Sequence, residues 1–253
     1  MAQTEQAATL TEQHQQMQAR ISARALKAFM VLWPLWAGDE SSFGRLVTAA
    51  MPLVRVHNQM SAAAAAAYYK AFRTAEQIAG VATPVSAGPV DVQQIVKSMF
   101  VTGNVMTRNA LAAGRTPTEA RQAALTRVSG AVTRHVLDGG RDAVLNSVAA
   151  DKQALGWARV TDGNPCYFCL ALASRGAVYK TEQTASFEAH DHCGCTAEVV
   201  YEGAPMPPLT AQWKSIYNAA QRDALASGDL QHGENSSKAR LNAVRRHLVA
   251  NPI

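Results

Sequence analysis

The four cysteines of this chain all lie in one short segment, between Cys166 and Cys195. They form a Cys166-x-x-Cys169 pair and a Cys193-x-Cys195 pair, and His190 precedes Cys193 by three residues. A segment of this size cannot bury enough apolar surface to fold alone, and a bound metal ion can supply the missing stability. The cysteines therefore constrain the fold of this part of the chain more than its apolar pattern does.

The spacing of these residues suits tetrahedral coordination. Two thiolates on one tight turn, Cys166 and Cys169, can occupy adjacent corners of a tetrahedron. In an extended segment, residues two apart point to one side, so Cys193 and Cys195 can both face the first pair. His190 can reach the same point around a turn and replace one of the second pair. Four thiolates, or three thiolates and an imidazole, both suit Zn²⁺, which is the predicted cofactor.

Three other interpretations fit the sequence less well. The polar N-terminus, with no signal peptide, indicates a chain made and kept in a reducing cytoplasm, where clustered cysteines bind metal more often than they form disulfides. A redox Cys-x-x-Cys usually follows a strand of a βαβ unit, whereas mostly helices are predicted ahead of this one. A nucleobase deaminase needs an upstream His-x-Glu, which the sequence lacks. Four protein ligands leave no open position for substrate, so we expect a structural metal.

The first 150 residues predict long helices. Thr9 and Glu12 have the spacing of a capping box, and apolar residues recur at helical spacing until Pro34 and Gly38. Thr116-Pro117-Thr118-Glu119 is the best helix start signal in the chain. The helices predicted after Gly38 span about 53–78, 91–114, 116–138 and 141–155, with Gly139-Gly140 as a stop.

The sequence changes in character after residue 155. Three short strands are predicted there, at 157–160, 177–180 and 196–201. One or two helical turns are expected after Cys169, and a long helix is expected from about Thr210. The predicted fold class is therefore mainly α, with a helical N-terminal region (1–155), a small α+β metal-stapled module (156–202) and a basic helical tail (203–253).

The net charge of +5 is unevenly distributed. Residues 205–253 carry six basic residues against three acidic ones, and no acidic residue occurs from Ser236 to Ala250. A basic helix can follow a phosphate backbone, although a solvated helix face has the same composition. The basic residues of this run are the predicted nucleic-acid contacts: Lys238, Arg240, Arg245 and Arg246. The most apolar run of the chain contains Pro34 and is too short to span a bilayer.

The cysteine segment resembles the Mu-F-like head morphogenesis domain of tailed phages. The matching residues are, in order, Trp157 in a strand, Cys166-x-x-Cys169, the strand Gly176-Ala177-Val178-Tyr179, and His190-x-x-Cys193-x-Cys195. The helical region ahead of them also fits the family's layout. The family often shows His-Pro-x-Cys-Arg-Cys, whereas this chain has Asp191 for the proline and Gly194 for the arginine, so the role of that arginine does not carry over.

The resemblance implies a non-enzymatic minor capsid protein. Such proteins are present in few copies, associate with the portal inside the head, and act in assembly or DNA delivery. It also implies a virion location, portal and capsid proteins as partners, and contact with double-stranded DNA in some relatives. The alternative function is a zinc-dependent nucleic-acid-binding or processing protein. A zinc nuclease would need further carboxylates and histidines, and only Glu188 and Asp191 lie near the cysteines.

Overall fold

A computed structural model of the chain describes residues 3–81, 83–163, 165–179, 186–205, 208–231, 233 and 236–253. The helices are α1 (Glu5–Leu32), α2 (Glu40–Ala75), α3 (Val92–Phe100), α4 (Met106–Ala112), α5 (Pro117–Ala150), α6 (Tyr167–Ala173), α7 (Pro208–Ala226) and α8 (Ser237–Ala250). The strands are β1 (Gly156–Val160), β2 (Ala177–Tyr179) and β3 (Thr196–Val200). The predicted fold class, mainly helical with a small α+β module, is confirmed. No helix in the described ranges is long and apolar enough to cross a membrane.

The main hydrophobic core lies between α1, α2, α3 and α5. Apolar residues recur every three or four positions along α1, so that Ile21, Ala25 and Phe29 all face this core. After α1 a 3-10 turn (Trp33–Leu35) reverses the chain, and the ring of Trp36 stands edge-on to Phe43 with centroids 5.1 Å apart. Aromatic burial at this reversal fixes the α1–α2 hairpin at its closed end.

The start of α1 differs from the prediction. The hydroxyl of Thr4 accepts a hydrogen bond from the amide of Ala7 at 3.1 Å, so the helix begins at Glu5. Thr9 lies inside the helix, where its hydroxyl donates to the carbonyl of Glu5. The predicted capping box of Thr9 and Glu12 is therefore wrong, because an earlier threonine provides the cap.

The start of α2 also differs from the prediction. Asp39 accepts a hydrogen bond from the amide of Ser42 at 2.9 Å, and α2 begins at Glu40 rather than near Leu53. Pro52, which favours a helix start, lies inside α2. Burial of the apolar side of α2 against α1 and α5 outweighs the loss of one backbone hydrogen bond at the proline.

The starts of α3 and α5 are confirmed. Asp91 accepts a hydrogen bond from the amide of Gln94 at the start of α3. Thr116 and Glu119 form a reciprocal capping box at the start of α5. A π-helical turn (Val101–Val105) joins α3 to α4 within the segment that was predicted as one helix.

The predicted stop at Gly139-Gly140 is wrong, because α5 continues through both glycines. A Cβ on Gly139 would lie 2.3 Å from the carbonyl oxygen of Asn58, and one on Gly140 would lie 2.7 Å from the hydroxyl of Ser61. Ser61 also accepts a hydrogen bond from the amide of Gly140 at 2.9 Å. The two glycines therefore allow α2 and α5 to approach closely rather than ending a helix.

The three strands form an antiparallel sheet in the order β2-β1-β3, which confirms the predicted strands within the described residues. Lys180, the predicted end of the second strand, lies outside the described residues. Trp157 of β1 and Val199 of β3 belong to a second hydrophobic cluster with Val144 and Val148 of α5. This cluster fixes one face of the sheet on the C-terminal half of α5.

The C-terminal helices lie on the other side of the small module. Leu170 of α6, Trp213 of α7 and Val244 of α8 form one buried cluster. The indole of Trp213 donates a hydrogen bond to the hydroxyl of Thr161, just after β1, at 3.2 Å. The cysteine segment is therefore packed between α5 and the pair α7–α8.

Candidate metal centre

The two halves of the cysteine motif reach one point from different elements. Cys166 caps the N-terminus of α6, where its sulfur accepts a hydrogen bond from the amide of Cys169 at 3.5 Å. His190, Cys193 and Cys195 lie on the segment that leads into β3. Pairing of β3 with β1 brings this segment back beside α6.

The structure places all five predicted donors in one cluster. The sulfur of Cys166 and Nε2 of His190 are 2.7 Å apart, and Nε2 is 3.4 Å from the sulfur of Cys169. The sulfur of Cys169 also lies 3.4 Å from that of Cys193. Donor atoms within 4.8 Å of one another form two groups that share Cys169, one with Cys166 and His190 and the other with Cys193 and Cys195.

The ring of His190 is oriented as in metal-binding histidines. Its Nδ1 faces the carbonyl oxygen of Asp191 within hydrogen-bonding distance, and the ring of Phe168 packs edge-on against it at 5.5 Å. A histidine that donates Nδ1–H to a carbonyl keeps a lone pair on Nε2, and Nε2 is the atom that faces Cys166 and Cys169. His190 is therefore a candidate ligand rather than only a neighbour.

Hydrogen bonds shared among the sulfurs polarise the cluster. The bond from Cys169 lowers the pKa of Cys166 to about 4, and bonds with Cys169 and Cys195 lower the pKa of Cys193. The bonds to Cys166 and Cys193 raise the pKa of the Cys169 thiol. The bond with Cys166 raises the pKa of His190 to about 9. A metal ion would take the place of the proton shared by Cys166 and His190, because thiolate and neutral imidazole are the ligating forms.

Helix α5 supports the segment that carries the second half of the motif. Arg134 forms an ion pair with Asp191 at 2.9 Å. The exposed His192 has a φ of +65° and lies against Gly130, where a Cβ would be 2.5 Å from the imidazole ring. The amide of His192 donates to the carbonyl of Gly130 at 3.3 Å. Asp191 and His192 thus fix the segment to the helix.

The donor set fits a single metal ion. Zinc–sulfur bonds of about 2.3 Å and zinc–nitrogen bonds of about 2.0 Å in a tetrahedron put ligand atoms about 3.5–3.8 Å apart. The separations of 3.4 Å from the sulfur of Cys169 to Nε2 of His190 and to the sulfur of Cys193 are close to that value, whereas the 2.7 Å between the sulfur of Cys166 and Nε2 of His190 is shorter. The three donors Cys169, Cys193 and Cys195 are buried, which suits a structural ion shielded from solvent.

The four predicted nucleic-acid contacts, Lys238, Arg240, Arg245 and Arg246, all lie on α8. Lys238 and Arg245 are exposed, and Arg240 is half-buried. Arg240 also lines a cleft of about 690 Å³ between the module and α7–α8, together with Arg175 and Lys214. Arg246 forms an exposed ion pair with Asp229 at 3.4 Å.

Sequence reasoning missed the arginines beside the cluster. Arg141 was expected to open a helix, but it lies inside α5 and its guanidinium donates to the carbonyls of Cys193 and Cys195. Arg159 of β1 lies 3.8 Å from the sulfur of Cys193. The sequence signal for Arg141 is Asp138, which lies one turn earlier and pairs with it at 2.9 Å.

The fold and the site define a mainly helical protein whose small α+β module carries a cysteine–histidine cluster able to hold a metal ion. The chain belongs to the VG15 protein family, whose model matches residues 1–220. It is similar to the Gene 15 protein of Mycobacterium phage D29, with 27% identity over 174 residues. That match covers 53% of this chain and 63% of the phage protein, which is less than two thirds of its length. No solved structure is significantly similar to the chain.

Proposed function

We propose that this protein is a minor capsid protein of a tailed phage or prophage, bound to the portal inside the head and acting in assembly or DNA delivery. Membership of the VG15 family and similarity to a mycobacteriophage protein support a phage structural protein of the head region. The observation that carries the finer assignment is the clustering of Cys166, Cys169, His190, Cys193 and Cys195 in two groups that share Cys169. These residues follow one another in the sequence in the order typical of the Mu-F-like domain.

The metal ion in this proposal is zinc, and its role is structural. Four thiolates, or three thiolates and an imidazole, are ligands that Zn²⁺ favours, whereas Mg²⁺ and Ca²⁺ select oxygen ligands. The cluster joins the start of α6 to the segment that leads into β3. An ion bound there would therefore hold these two elements together and fix the small sheet that packs on α5. The ion would therefore stabilise the module rather than activate a substrate.

Contact with the portal is assigned to the N-terminal helical region. Helix α1 exposes Met17, Met30 and Val31, the last of them to 76%. Exposed apolar side chains grouped on one element are typical of a protein contact surface. Changing Met30 and Val31 to Asp should weaken capture by purified portal protein, whereas the matched change of Val249, which is 79% exposed on α8, should not. Equal capture of all three proteins would contradict this assignment.

Contact with double-stranded DNA is assigned to α8. Three of its basic residues, Lys238, Arg245 and Arg246, are exposed, so we expect weak binding without sequence preference, with a Kd of roughly 10⁻⁴ to 10⁻⁶ M at physiological salt. Changing the four basic residues of α8 to Ala should abolish binding in a salt titration. The matched control removes the same charge from exposed residues of the N-terminal hairpin: Arg20, Arg24, Lys27 and Arg45. If both variants bind as wild type does, α8 is ordinary surface.

The proposed function is tested by fractionating phage particles. Heads purified away from free protein should retain this protein in a small and constant ratio to the portal protein, and they should still retain it after DNA is removed. Its presence only in the unassembled pool would contradict a head component and favour the zinc-dependent nucleic-acid-binding alternative.

A further inference from the structure

Two buried guanidinium groups lie next to the cysteine cluster. Arg141 and Arg159 are each 3% exposed, and they come from different elements, α5 and β1. Both lie over the ring of Phe187, with the guanidinium carbon 5.0 Å from the ring centroid for Arg141 and 3.8 Å for Arg159. A buried charge is costly unless an opposite charge or a full set of hydrogen bonds compensates it, so each of these arginines needs a partner.

Arg141 has its partners within the described residues. Its Nη1 pairs with the carboxylate of Asp138 at 2.9 Å. Its Nη2 donates to the carbonyl of Cys193 at 2.6 Å, and its Nε donates to that of Cys195 at 3.2 Å. The charge of Arg141 is thus compensated by a carboxylate, and its remaining donors hold the backbone of the ligand segment on α5.

Arg159 lacks such a partner. Its Nη2 donates to the carbonyl of Glu188 at 2.6 Å, and its buried Nε has no hydrogen-bond partner in the described part of the chain. Within the same ranges it forms no ion pair with a carboxylate. A group with anionic character beside it is the sulfur of Cys193, 3.8 Å from Nη1. The buried positive charge of Arg159 is therefore left for the cysteine cluster to compensate.

The charge of the cluster depends on which donors bind the ion. A divalent ion with three thiolates and a neutral imidazole carries a net charge of −1, whereas four thiolates give −2. Arg141 with Asp138 is neutral as a pair, so Arg159 alone matches a centre of charge −1. Cys166 and Cys169 contact Nε2 of His190 at 2.7 and 3.4 Å, and Arg159 approaches the sulfur of Cys193 at 3.8 Å, so Cys195 is the cysteine that charge matching leaves out. The sulfur of Cys195 lies within 4.8 Å of the sulfurs of Cys169 and Cys193, so the variants below must separate these donors.

We propose that Arg159 is the counter-charge of the metal centre, that Cys166, Cys169, His190 and Cys193 are its ligands, and that Cys195 is not. This inference rests on the proposed metal site and goes beyond it by naming the ligands and a positioning residue. Arg159 acts through the Cys193 sulfur, and Arg141 fixes the segment that carries that sulfur. Metal binding and docking of the module on α5 are then one linked event.

The ligand set is tested with the full chain loaded with Co²⁺, whose absorption reports thiolate ligation. Cys195→Ser should bind the ion with the wild-type spectrum, whereas Cys193→Ser should lose thiolate-to-cobalt absorption and affinity. The reverse pattern overturns the ligand set while leaving a metal site in place. A wild-type chain that binds no metal overturns both the site and this inference. If Cys193→Ser fails to fold, the Cys195→Ser spectrum alone decides.

The role of Arg159 is tested by zinc affinity, measured by competition with a chromophoric chelator. Loss of a group that supports a ligand typically weakens metal affinity about 10- to 100-fold, so we expect that loss for Arg159→Gln and a smaller one for Arg159→Lys. The matched control is Arg73→Gln, which removes another buried arginine, paired with Asp151 at 2.9 Å and outside the cluster. It should lower stability and leave zinc affinity unchanged. Equal loss of zinc affinity in Arg159→Gln and Arg73→Gln, or none in Arg159→Gln, overturns the role of Arg159.

Discussion

Replacing Gly139 with Ala should destabilise the protein, although alanine is the better helix former. The added Cβ would lie 2.3 Å from the backbone oxygen of Asn58, so α2 and α5 must separate by about 1 Å to restore an ordinary contact. Such overpacking typically costs about 1–3 kcal/mol, and the hydrogen bond from the Asn58 amide to the carbonyl of His135, worth about 1 kcal/mol, would weaken. The higher helix propensity of alanine offsets about 0.8–1 kcal/mol of this loss in stability. The net expectation is a loss of about 2 kcal/mol.

The control is Gly44→Ala on α2, because a Cβ there meets no atom within 4 Å. This change should stabilise the protein by about 0.5–1 kcal/mol through helix propensity alone. Urea denaturation followed by circular dichroism gives the free energy of unfolding for both variants. The reasoning is refuted if Gly139→Ala is as stable as wild type, or if both substitutions shift stability in the same direction.

Three further predictions concern the module, acid stability and a buried ion pair. Cys166→Ser should speed hydrogen exchange across residues 156–202 and leave most of the helical signal; unchanged exchange would contradict the metal staple. Burial lowers the pKa of His14 to about 4. As the pH falls from about 6.5 to 4, this histidine takes up a proton in the unfolded chain but not in the folded one. The free energy of unfolding therefore drops by up to about 3 kcal/mol across that window. His14→Phe should therefore show a shallower loss in urea titrations across that window, and an equal slope would refute this. Asp151→Asn should lower the free energy of unfolding by about 3–5 kcal/mol, because it leaves Arg73 buried without its carboxylate. Urea denaturation should show part of this loss recovered when Arg73→Gln is added; no recovery would argue against the pair.

Sequence patterns predict the structure correctly where the local conformation depends on only a few neighbouring residues. The spacing of Cys166, Cys169 and Cys193 indicated one cluster because a tight turn and an extended segment have fixed geometries. The cap at Thr116 was identified for the same reason. The mainly α fold followed from the long runs of helical periodicity ahead of the cysteines.

The misses depend on contacts that are distant in sequence. Gly139 has the local pattern of a helix stop, and only its contact with Asn58, 81 residues earlier, keeps it inside α5. Pro52 has the local pattern of a helix start, and the packing of α2 against two other helices overrides it. Arg159 reaches the cluster across the sheet, and no spacing rule connects it with Cys193.

The central claim, one metal ion held by the cysteine–histidine cluster, is tested most directly by metal analysis combined with X-ray absorption on protein purified under reducing conditions. We expect about one zinc per chain, with about three sulfur neighbours near 2.3 Å and one nitrogen neighbour near 2.0–2.1 Å. A chain that contains no metal and titrates four free thiols would contradict the claim. A zinc ion surrounded mainly by oxygen or nitrogen would do the same.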